Sequence, residues 1–456
     1  MTSAPADVEA LAASVSGPVL LQGDPGIRAE IAAFNTYPDH DPDLLVAAES
    51  EGDVVAAVRF ALAHGLVVRS ITTGHGSPVP SVDGVLVSLR RFHGVTVEPE
   101  ARLAVVRGGT RWAEVVEAAA AHGLAPVTGS SVSVGAIGYT LGGGLGPLAR
   151  TFGFSSDWVR GFRVVTGDGR IVVADSSENQ DLFWALRGGK GGFGVVTEMT
   201  IELVPLEVLY GGSLMVDGPH IAEAYRAWAE WSRDLPESVT TAASVATLPP
   251  IEAIPEPFRG RTLLAIRYAF IGDPAEGERL FAPVRAAAPV YLDGVRTMRA
   301  DEIATIHNDP VDPGPSWDRG MMLDSIDADF VDALLAATGP DAHVPLLATE
   351  VRRVGGATTR DVPEGSAVGG RAAEYALILI GAPDPSLFPA VLPAVGDGVT
   401  AALAPWVSAV TTPNWAGGFG VPGTWEAAWP AETRARLDDI RRATDPHGLF
   451  PFGPAR

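Results

Sequence analysis

The chain has 456 residues, of which 46% are hydrophobic and 19% charged, so it can bury a sizeable core and wholesale disorder is excluded. At about 150 residues per domain, this length predicts two or three domains. The chain carries 55 acidic and 33 basic residues, a net charge of −22, and Lys190 is its only lysine. Nucleic-acid binding requires clustered cations, whereas the longest clusters here are arginine pairs such as Arg90-Arg91. We therefore expect neither nucleic acid nor an anionic membrane as a partner.

Cysteine is absent from the chain. This excludes disulfides, thiolate metal sites and cysteine nucleophiles, and we predict no metal site. The N-terminal sequence lacks the basic and long apolar parts of a signal peptide. Apolar stretches such as residues 375–382 are about half the roughly 20 residues that a membrane span requires. We therefore expect a cytoplasmic protein.

The first part of the chain alternates between strand-like and helix-like segments. LLVAAES and LVVRSIT are typical of strands, and the intervening DVVAAVRFALAHG has helical spacing and ends at Gly65. WAEVVEAAAAHG is a second predicted helix, which ends at Gly123. This alternation predicts small βαβ units with parallel strands. A β-hairpin follows, with its turn predicted at residues 167–169.

The pattern changes after about Pro205. Residues 206–412 contain predicted strands, LYGGSLMV, RTLLAIRYAF, PLLATEVRRV and AEYALILIG, which are separated by long helices and proline-rich loops. This spacing predicts an antiparallel sheet covered by helices on one face. The final segment, ETRARLDDIRRATDPHGLF, predicts one more helix.

Three glycine clusters lie in the first 200 residues: residues 72–76, 129–146 and 188–194. Seven of the nineteen residues from 128 to 146 are glycine, too many to predict a stable helix or strand there. Glycine allows tight turns, and it also lets bare N–H groups approach a phosphate or a planar cofactor. Three clusters in one domain favour a large phosphorylated cofactor. The dinucleotide fingerprint is spoiled by Pro147, and the Walker pattern fails because Gly191 follows Lys190.

These motifs resemble the FAD-linked oxidases of the vanillyl-alcohol oxidase / p-cresol methylhydroxylase superfamily, in particular the berberine-bridge-enzyme-like branch. The resemblance lies in TTGHG, in GSSVSVGAIGYTLGGGLGPLARTFGFSSDWV, in DLFWALRGGKGGFGVVT and in the terminal RLDDIRRATDPHGLF. It implies an α+β, two-domain FAD-binding fold of the p-cresol-methylhydroxylase type. Residues 1–205 would form the FAD domain and residues 206–412 the antiparallel-sheet substrate domain. Residues 413–456 would return to the FAD domain.

The resemblance also implies how FAD is held. The counterpart of His75 forms a covalent bond to the 8α carbon of the flavin, although a histidine in a loop otherwise tends to be structural. Some relatives add a second bond from a cysteine, at a position that Ser131 occupies here. Because the chain has no cysteine, we predict attachment through His75 only. The predicted cofactor-binding residues are Thr72, Thr73, Gly74, His75, Gly76, Ser77, Gly129, Ser130, Ser131, Val134, Gly135, Gly138, Gly144, Val196 and Asn414.

The residue that would act as the catalytic base differs from that of the alcohol-oxidising relatives. Leu145 and Trp415 stand where relatives that oxidise alcohols place tyrosines. The candidates that remain are Tyr375, Glu350 and Arg352, of which the last two share one face of a strand. If that sheet covers the flavin, all three project over it, and Arg371 and Arg352 are cations that could lower the pKa of Tyr375. The alternative is an ion pair and a core tyrosine. We interpret Tyr139 as a packing residue.

The predicted function is that of an FAD-dependent oxidoreductase that removes two electrons from a small molecule, with oxygen as the acceptor. The missing tyrosines favour an apolar or amine substrate, or an oxidative cyclisation, in specialised metabolism. The expected partners are this substrate, molecular oxygen and a second copy of the chain in a homodimer. One alternative is a flavin-bound scaffold or non-redox cyclase. A nicotinamide dehydrogenase is a second alternative, but it explains neither His75 nor the long glycine block.

Overall fold

The computed structural model describes residues 5–76, 79–252, 254–417 and 423–452. The strands of the first part are β1 (Val19–Leu21), β2 (Leu44–Ala47), β3 (Val68–Ile71), β4 (Val85–Ser88), β5 (Val95–Glu98), β6 (Leu103–Arg107), β7 (Leu124–Ala125), β8 (Val159–Val165), β9 (Ile171–Asp175), β10 (Val195–Glu202) and β11 (Val204–Pro205). Its helices are α1 (Pro5–Ser14), α2 (Gly26–Ile31), α3 (Glu51–His64), α4 (Trp112–Ala120), α5 (Ala136–Thr140), α6 (Ala149–Phe152) and α7 (Gln180–Leu186).

Two sheets form the framework of this first part. One has the order β1-β2-β4-β3, in which β2, β4 and β3 are parallel and α3 makes the crossover from β2 to β3. Helix α3 is capped by Ser50, whose hydroxyl accepts from the Asp53 N–H. It ends at Gly65 with φ 64°, the end that the sequence predicts. The other sheet is antiparallel, with the order β5-β6-β10-β8-β9. It includes the predicted hairpin of β8 and β9.

One prediction about the glycine block is wrong, because the short helix α5 lies within it. Tertiary hydrogen bonds anchor its first turn. The Gly135 N–H donates to the Thr73 hydroxyl oxygen at 3.2 Å, and the Ala136 N–H donates to the Thr110 carbonyl at 2.9 Å. These contacts with distant residues offset the low helix propensity of glycine.

The second part of the chain forms one large antiparallel sheet. Its strands are β12 (Val208–Asp217), β13 (Val239–Thr247), β14 (Thr262–Phe270), β15 (Leu292–Asp293), β16 (Arg296–Arg299), β17 (Asp318–Leu323), β18 (Leu346–Arg353) and β19 (Tyr375–Gly381), and its long helices are α8 (Ile221–Ser232), α9 (Pro274–Arg285), α10 (Ala328–Thr338) and α11 (Val391–Ala402). The strand order is β15-β12-β14-β13-β18-β19-β17, with β16 paired to β12.

The two faces of this sheet have different neighbours. The face that we call the helix-covered face packs against α8 to α11 in the largest hydrophobic cluster, which includes Trp228, Val351 and Leu377. The opposite face, which we call the inner face, lies against the first part of the chain. There the Arg352 guanidinium donates to the Leu145 carbonyl at 2.8 Å. Residues on the inner face therefore lie between the two parts of the molecule.

The C-terminal segment contains α12 (Thr424–Ala428) and α13 (Ala431–Thr444) and packs against the first part of the chain. Leu437 and Ile440 of α13 share a hydrophobic cluster with Phe183 of α7. The Arg441 guanidinium also donates to the Gly189 carbonyl at 2.9 Å. No helix of the described ranges is both long and apolar enough to cross a membrane.

Candidate cofactor and substrate site

Two of the glycine-containing loops meet between the first two sheets. Residues 72–76 follow β3, and residues 129–135 lead into α5. The Thr73 hydroxyl oxygen accepts from the Gly135 N–H, and the Ser133 hydroxyl lies 3.3 Å from Nε2 of His75. We call these two loops the cradle. The tertiary structure thus brings together two motifs that are more than 50 residues apart.

The backbone of the cradle offers unused donors. Among the described residues, the N–H groups of residues 74–76 and 129–134 donate to no protein acceptor. Backbone N–H groups require a partner from protein, water or ligand, and consecutive free N–H groups in loops form anion-binding concavities. The cradle therefore fits a cofactor with phosphate groups.

His75 lies within the cradle in a restrained orientation. Its imidazole stacks on the ring of Phe34, with centroids 3.9 Å apart and an interplanar angle of 8°. Nδ1 lies 2.9 Å from the Thr73 hydroxyl. Burial, with a smaller contribution from Arg111, lowers the pKa of His75 to about 4. The imidazole is therefore neutral at pH 7 and retains a nucleophilic lone pair.

The C-terminal segment closes one side of the site through Asn414. Its amide donates to the Tyr139 carbonyl at 2.8 Å, and its Oδ1 accepts from Nζ of Lys190 at 2.7 Å. The same Lys190 ammonium donates to the Gly138 carbonyl at 3.0 Å. A Cβ atom on Gly138 would meet no protein heavy atom within 4 Å. Open space therefore adjoins α5 where Gly138, Lys190 and Asn414 meet.

At two of the predicted cofactor-binding positions, the packing of Tyr139 explains why the residue is glycine. A Cβ atom on Gly129 or Gly144 would lie 2.8 or 2.6 Å from the ring of Tyr139. Gly144 also has φ +80°, which disfavours other residues. Tyr139 is half-buried with a buried hydroxyl group, and this burial raises the pKa of its phenol. It packs edge-on against Trp112, which agrees with our interpretation of Tyr139 as a packing residue.

The remaining predicted cofactor residues have varied surroundings. Ser130, Ser131 and Val134 are half-buried in the second loop of the cradle. The Thr72 hydroxyl donates to the Gly108 carbonyl at 3.1 Å, next to the cradle. Val196 is buried within β10. Ser77 lies outside the described residues.

The inner face of the large sheet carries a buried charged cluster. Strand alternation puts Glu350 and Arg352 on this face, as predicted, and Arg352 donates to the Glu350 carboxylate at 2.7 Å. Arg267 on β14 donates to the other oxygen of Glu350. These two guanidinium groups outweigh the effect of burial and hold the pKa of Glu350 well below its usual range. Glu350 is therefore a counter-ion to two arginines, which makes it a weak proton acceptor.

The cluster also lies against the two positions where tyrosines were expected. Arg352 reaches the Leu145 carbonyl, and its guanidinium carbon lies 5.3 Å from the centroid of the Trp415 ring. Leu145 and Trp415 belong to one buried hydrophobic cluster with Ala376 of β19. Arg352 and this hydrophobic cluster thus join the large sheet to the two segments that contain Leu145 and Trp415.

The prediction that Tyr375 shares this face with Glu350 and Arg352 is wrong. In the register of β18 and β19, Tyr375 pairs with Arg353, whereas Glu350 pairs with Ile378. Side chains of adjacent residues alternate between faces, so Tyr375 lies on the helix-covered face. Its hydroxyl is 3.0 Å from that of Ser232 on α8, and burial raises the pKa of its phenol.

The prediction that Arg371 lowers the pKa of Tyr375 also fails. The Arg371 guanidinium donates to Asp157 at 2.5 Å, and the cation above the Tyr375 ring is Arg353. Tyr375 is therefore a core residue, which is the alternative that the sequence left open.

Sequence reasoning missed His307 and Asp318. His307 is buried beside the charged cluster, with Nε2 3.8 Å from Glu350, and neither ring nitrogen has a hydrogen-bond partner among the described residues. Burial, reinforced by Arg352, holds its pKa well below the usual value. It lies in no recognisable motif, so no sequence signal could have found it.

Asp318 is the first residue of β17 and lies on the inner face, since it shares that face with Gly320, which contacts Trp415. Its side chain is exposed and makes no ion pair with a described residue, yet burial raises the pKa of its carboxyl. Asp318 is therefore an accessible carboxylate on the inner face without a cationic partner among the described residues. Asn35, next to Phe34, holds this part of the chain near the cradle through a hydrogen bond to the Ser316 carbonyl at 3.2 Å.

Comparison with known proteins agrees with this geometry. The FAD binding domain family matches residues 42–175, which include both loops of the cradle. FAD-linked oxidoreductase hasG of Aspergillus fumigatus is 38% identical over 195 residues, which cover 41% of each chain. The chain thus spans about two fifths of the length of this curated relative.

Solved structures match over almost the whole chain. 6-hydroxy-D-nicotine oxidase of Arthrobacter nicotinovorans has a TM-score of 0.83 at 22% identity, covering 96% of this chain and 97% of that one. The berberine-bridge-enzyme-like protein 1 of Physcomitrella patens has a TM-score of 0.82 at 17% identity, covering 98% of each. Glucooligosaccharide oxidase of Acremonium strictum, which is described with a 6-S-cysteinyl, 8α-N1-histidyl FAD, has a TM-score of 0.81 at 18% identity, covering 97% and 98%.

The fold and the matched domain define an FAD-binding protein. Residues 42–175 match the FAD binding domain family, and the whole chain shares the fold of the flavin oxidases named above. The two-domain α+β fold that the sequence predicts is confirmed.

Proposed function

We propose that this protein is an FAD-dependent oxidase, which removes two electrons from a small molecule and passes them to oxygen. The observation that carries the proposal is the cradle, where free backbone N–H groups adjoin a neutral His75 within the matched FAD-binding domain. When bound, FAD supplies the two-electron acceptor, and the protein supplies orientation and electrostatics.

The cofactor is attached through His75 alone. His75 would hold the flavin through a bond from a neutral imidazole nitrogen to the 8α carbon, in place of one methyl hydrogen, and oxygen would take up the two electrons and two protons released. The low pKa of His75 supports this role, because protonation would remove the lone pair. The stacking on Phe34 holds the ring in one orientation. With no cysteine in the chain, a second tether is excluded.

We further propose that the substrate carries a cationic amine. On the inner face, small or apolar side chains such as Ala348 and Ile378 are half-exposed, and Asp318 is an accessible carboxylate without a cationic partner among the described residues. A desolvated carboxylate is stabilised by an opposite charge within about 4–6 Å. An ammonium group on the substrate would supply this charge.

The first test is acid precipitation of the purified protein, which should keep its yellow colour, with FAD mass on the peptide that contains His75. Colour that passes wholly into the supernatant would rule out the tether. The second test is anaerobic bleaching by a panel of amines and matched neutral alcohols. Asp318→Asn should raise KM for the amines by roughly tenfold or more, with little change for any neutral substrate. An equal effect on both classes would contradict the proposed amine site.

A flavin-bound protein without redox turnover is a second candidate. One observation favours it: no tyrosine that could act as the expected base lies on the inner face among these positions. Leu145 and Trp415 occupy the two places where relatives have tyrosines, and Tyr375 lies on the helix-covered face. Bleaching by any substrate, followed by recovery of the colour in air, would exclude it. A protein that binds FAD but is bleached only by dithionite would support it.

A further inference from the structure

Lys190, the only lysine of the chain, occupies a strained backbone position. It has φ +68°, a left-handed conformation that is uncommon for residues other than glycine. Its neighbours Gly189 and Gly191 are glycines, and Gly192 also has positive φ. A glycine at position 190 would adopt the same conformation without strain. Backbone strain of this kind is typical of functional sites, so a function of the lysine side chain would explain why position 190 is not glycine.

The Lys190 ammonium has no counter-ion among the described residues. It donates to two neutral oxygens, the Gly138 carbonyl and the Asn414 side chain. No carboxylate of the described residues lies within 4 Å of it, and no other interaction with them involves it. Burial alone lowers its pKa to about 8. A desolvated cation without an opposite charge is costly, and this one lies in a protein with a net charge of −22.

The ammonium lies beside the cradle. The side chain is half-buried, and its hydrogen bond to the Gly138 carbonyl is exposed, so the ammonium is accessible to a ligand. Its contact with Gly138 puts it at α5, where a Cβ atom would meet only open space. The free N–H groups of residues 129–134 precede the same helix. Lys190 therefore adds a full positive charge to a surface that already offers neutral donors.

We propose that Lys190 is the counter-cation for an anionic oxygen of FAD. This inference rests on the proposed function, since it requires that FAD binds at the cradle. Two parts of the cofactor carry the required charge. One is the pyrophosphate, which is anionic in both redox states, and the other is the isoalloxazine ring, which gains negative charge when it is reduced.

The test compares Lys190→Met with Lys190→Arg, each in a His75→Ala background so that FAD binds reversibly. Arg226→Met is the matched control, because it removes an exposed positive charge from α8, on the helix-covered side of the large sheet. Three quantities are measured: the Kd for oxidised FAD, the midpoint potential, and the Kd for sulfite, which adds to the ring and leaves it negatively charged. Circular dichroism of each apoprotein checks that the fold is retained.

If Lys190 neutralises the pyrophosphate, Lys190→Met should raise the Kd for oxidised FAD by roughly tenfold or more, with the potential unchanged. If it neutralises the ring, the same variant should lower the potential and raise the Kd for sulfite by a similar factor, with oxidised FAD bound as before. In either case Lys190→Arg should retain most of the parent behaviour.

Parent values of all three quantities in Lys190→Met would overturn the inference while leaving the proposed function intact. Equal losses in the Met and Arg variants, or the same losses in Arg226→Met, would show that a positive charge at position 190 is not what holds the cofactor, and would likewise overturn the inference. A parent protein that binds no FAD would instead refute the proposed function itself.

Discussion

The hydroxyl group of Tyr375 lies 3.0 Å from that of Ser232, on the helix-covered side of the large sheet. Ser232 also donates to the Ala229 carbonyl of its own helix, so this pair ties strand β19 to α8. The charged cluster around Glu350 lies on the other side of the same sheet. A phenol and a carboxylate that the sequence suggested as partners are thus separated by the thickness of the sheet.

Tyr375→Phe should therefore leave flavin reduction at nearly the parent rate. It removes one buried hydrogen bond, at a cost of about 1 kcal/mol in the free energy of unfolding. Stopped-flow reduction and urea unfolding measure the two effects. Tyr268→Phe, which removes a buried hydrogen bond to the Gly277 carbonyl in the same part of the molecule, is the control. Flavin reduction that is slower by about 10²-fold, the loss typical of removing a positioned base, would show that Tyr375 acts in catalysis and contradict this prediction.

Gly138→Ala should weaken FAD binding without harming the protein. Gly138 lies in α5 and its Cβ would meet no protein atom, so the apoprotein should keep or gain stability, by up to about 1 kcal/mol. The new methyl group would occupy space that we assign to the cofactor, so FAD content should fall. Gly398→Ala in α11, where a Cβ also meets open space, is the matched control. Full flavin content in Gly138→Ala would show that the cofactor does not lie against α5.

Glu350→Gln should destabilise the protein by about 3 kcal/mol or more, because it leaves two buried guanidinium groups without their counter-ion. Urea unfolding gives this quantity. The control is Glu237→Gln, which breaks an exposed pair with Arg360 and should cost less than about 1 kcal/mol. If both variants were equally stable, the cluster on the inner face would not be the buried ion network described above.

His307 should make stability depend on pH. The folded protein keeps its imidazole neutral because burial and Arg352 lower its pKa, although Glu350 opposes this effect. Arg267 also lowers it. The unfolded chain takes up a proton as the pH falls below about 6.5. His307 therefore leaves the free energy of unfolding unchanged above this pH and lowers it progressively below it.

The measurement is urea unfolding of the parent and of His307→Asn at about pH 7.5 and about pH 5, between which histidine titrates in the unfolded chain. The parent should lose more stability than the variant over this interval. Equal losses would show that His307 is protonated in the folded protein, or that other groups account for the whole pH dependence.

The sequence by itself determined the cofactor half of the protein. Both loops of the cradle are contiguous motifs in the sequence. The first loop depends on a local backbone conformation that glycine adopts freely, at Gly74 with φ +67°. Helix α3 has its capping residues within its own sequence. The absence of cysteine also settles, without any structure, that a cysteinyl tether cannot form.

The tertiary structure decided which charges and rings meet. Whether Tyr375 faces inward depends on a one-residue register, because neighbouring side chains of a strand point to opposite faces. The sequence left Glu350 as either a candidate base or a member of an ion pair, and Arg267, 83 residues away, holds its carboxylate. Lys190 meets Asn414 across 224 residues. Such long-range contacts set the pKa values and the free donors of the site, since charge and burial depend on neighbours in space and not on neighbours in the chain.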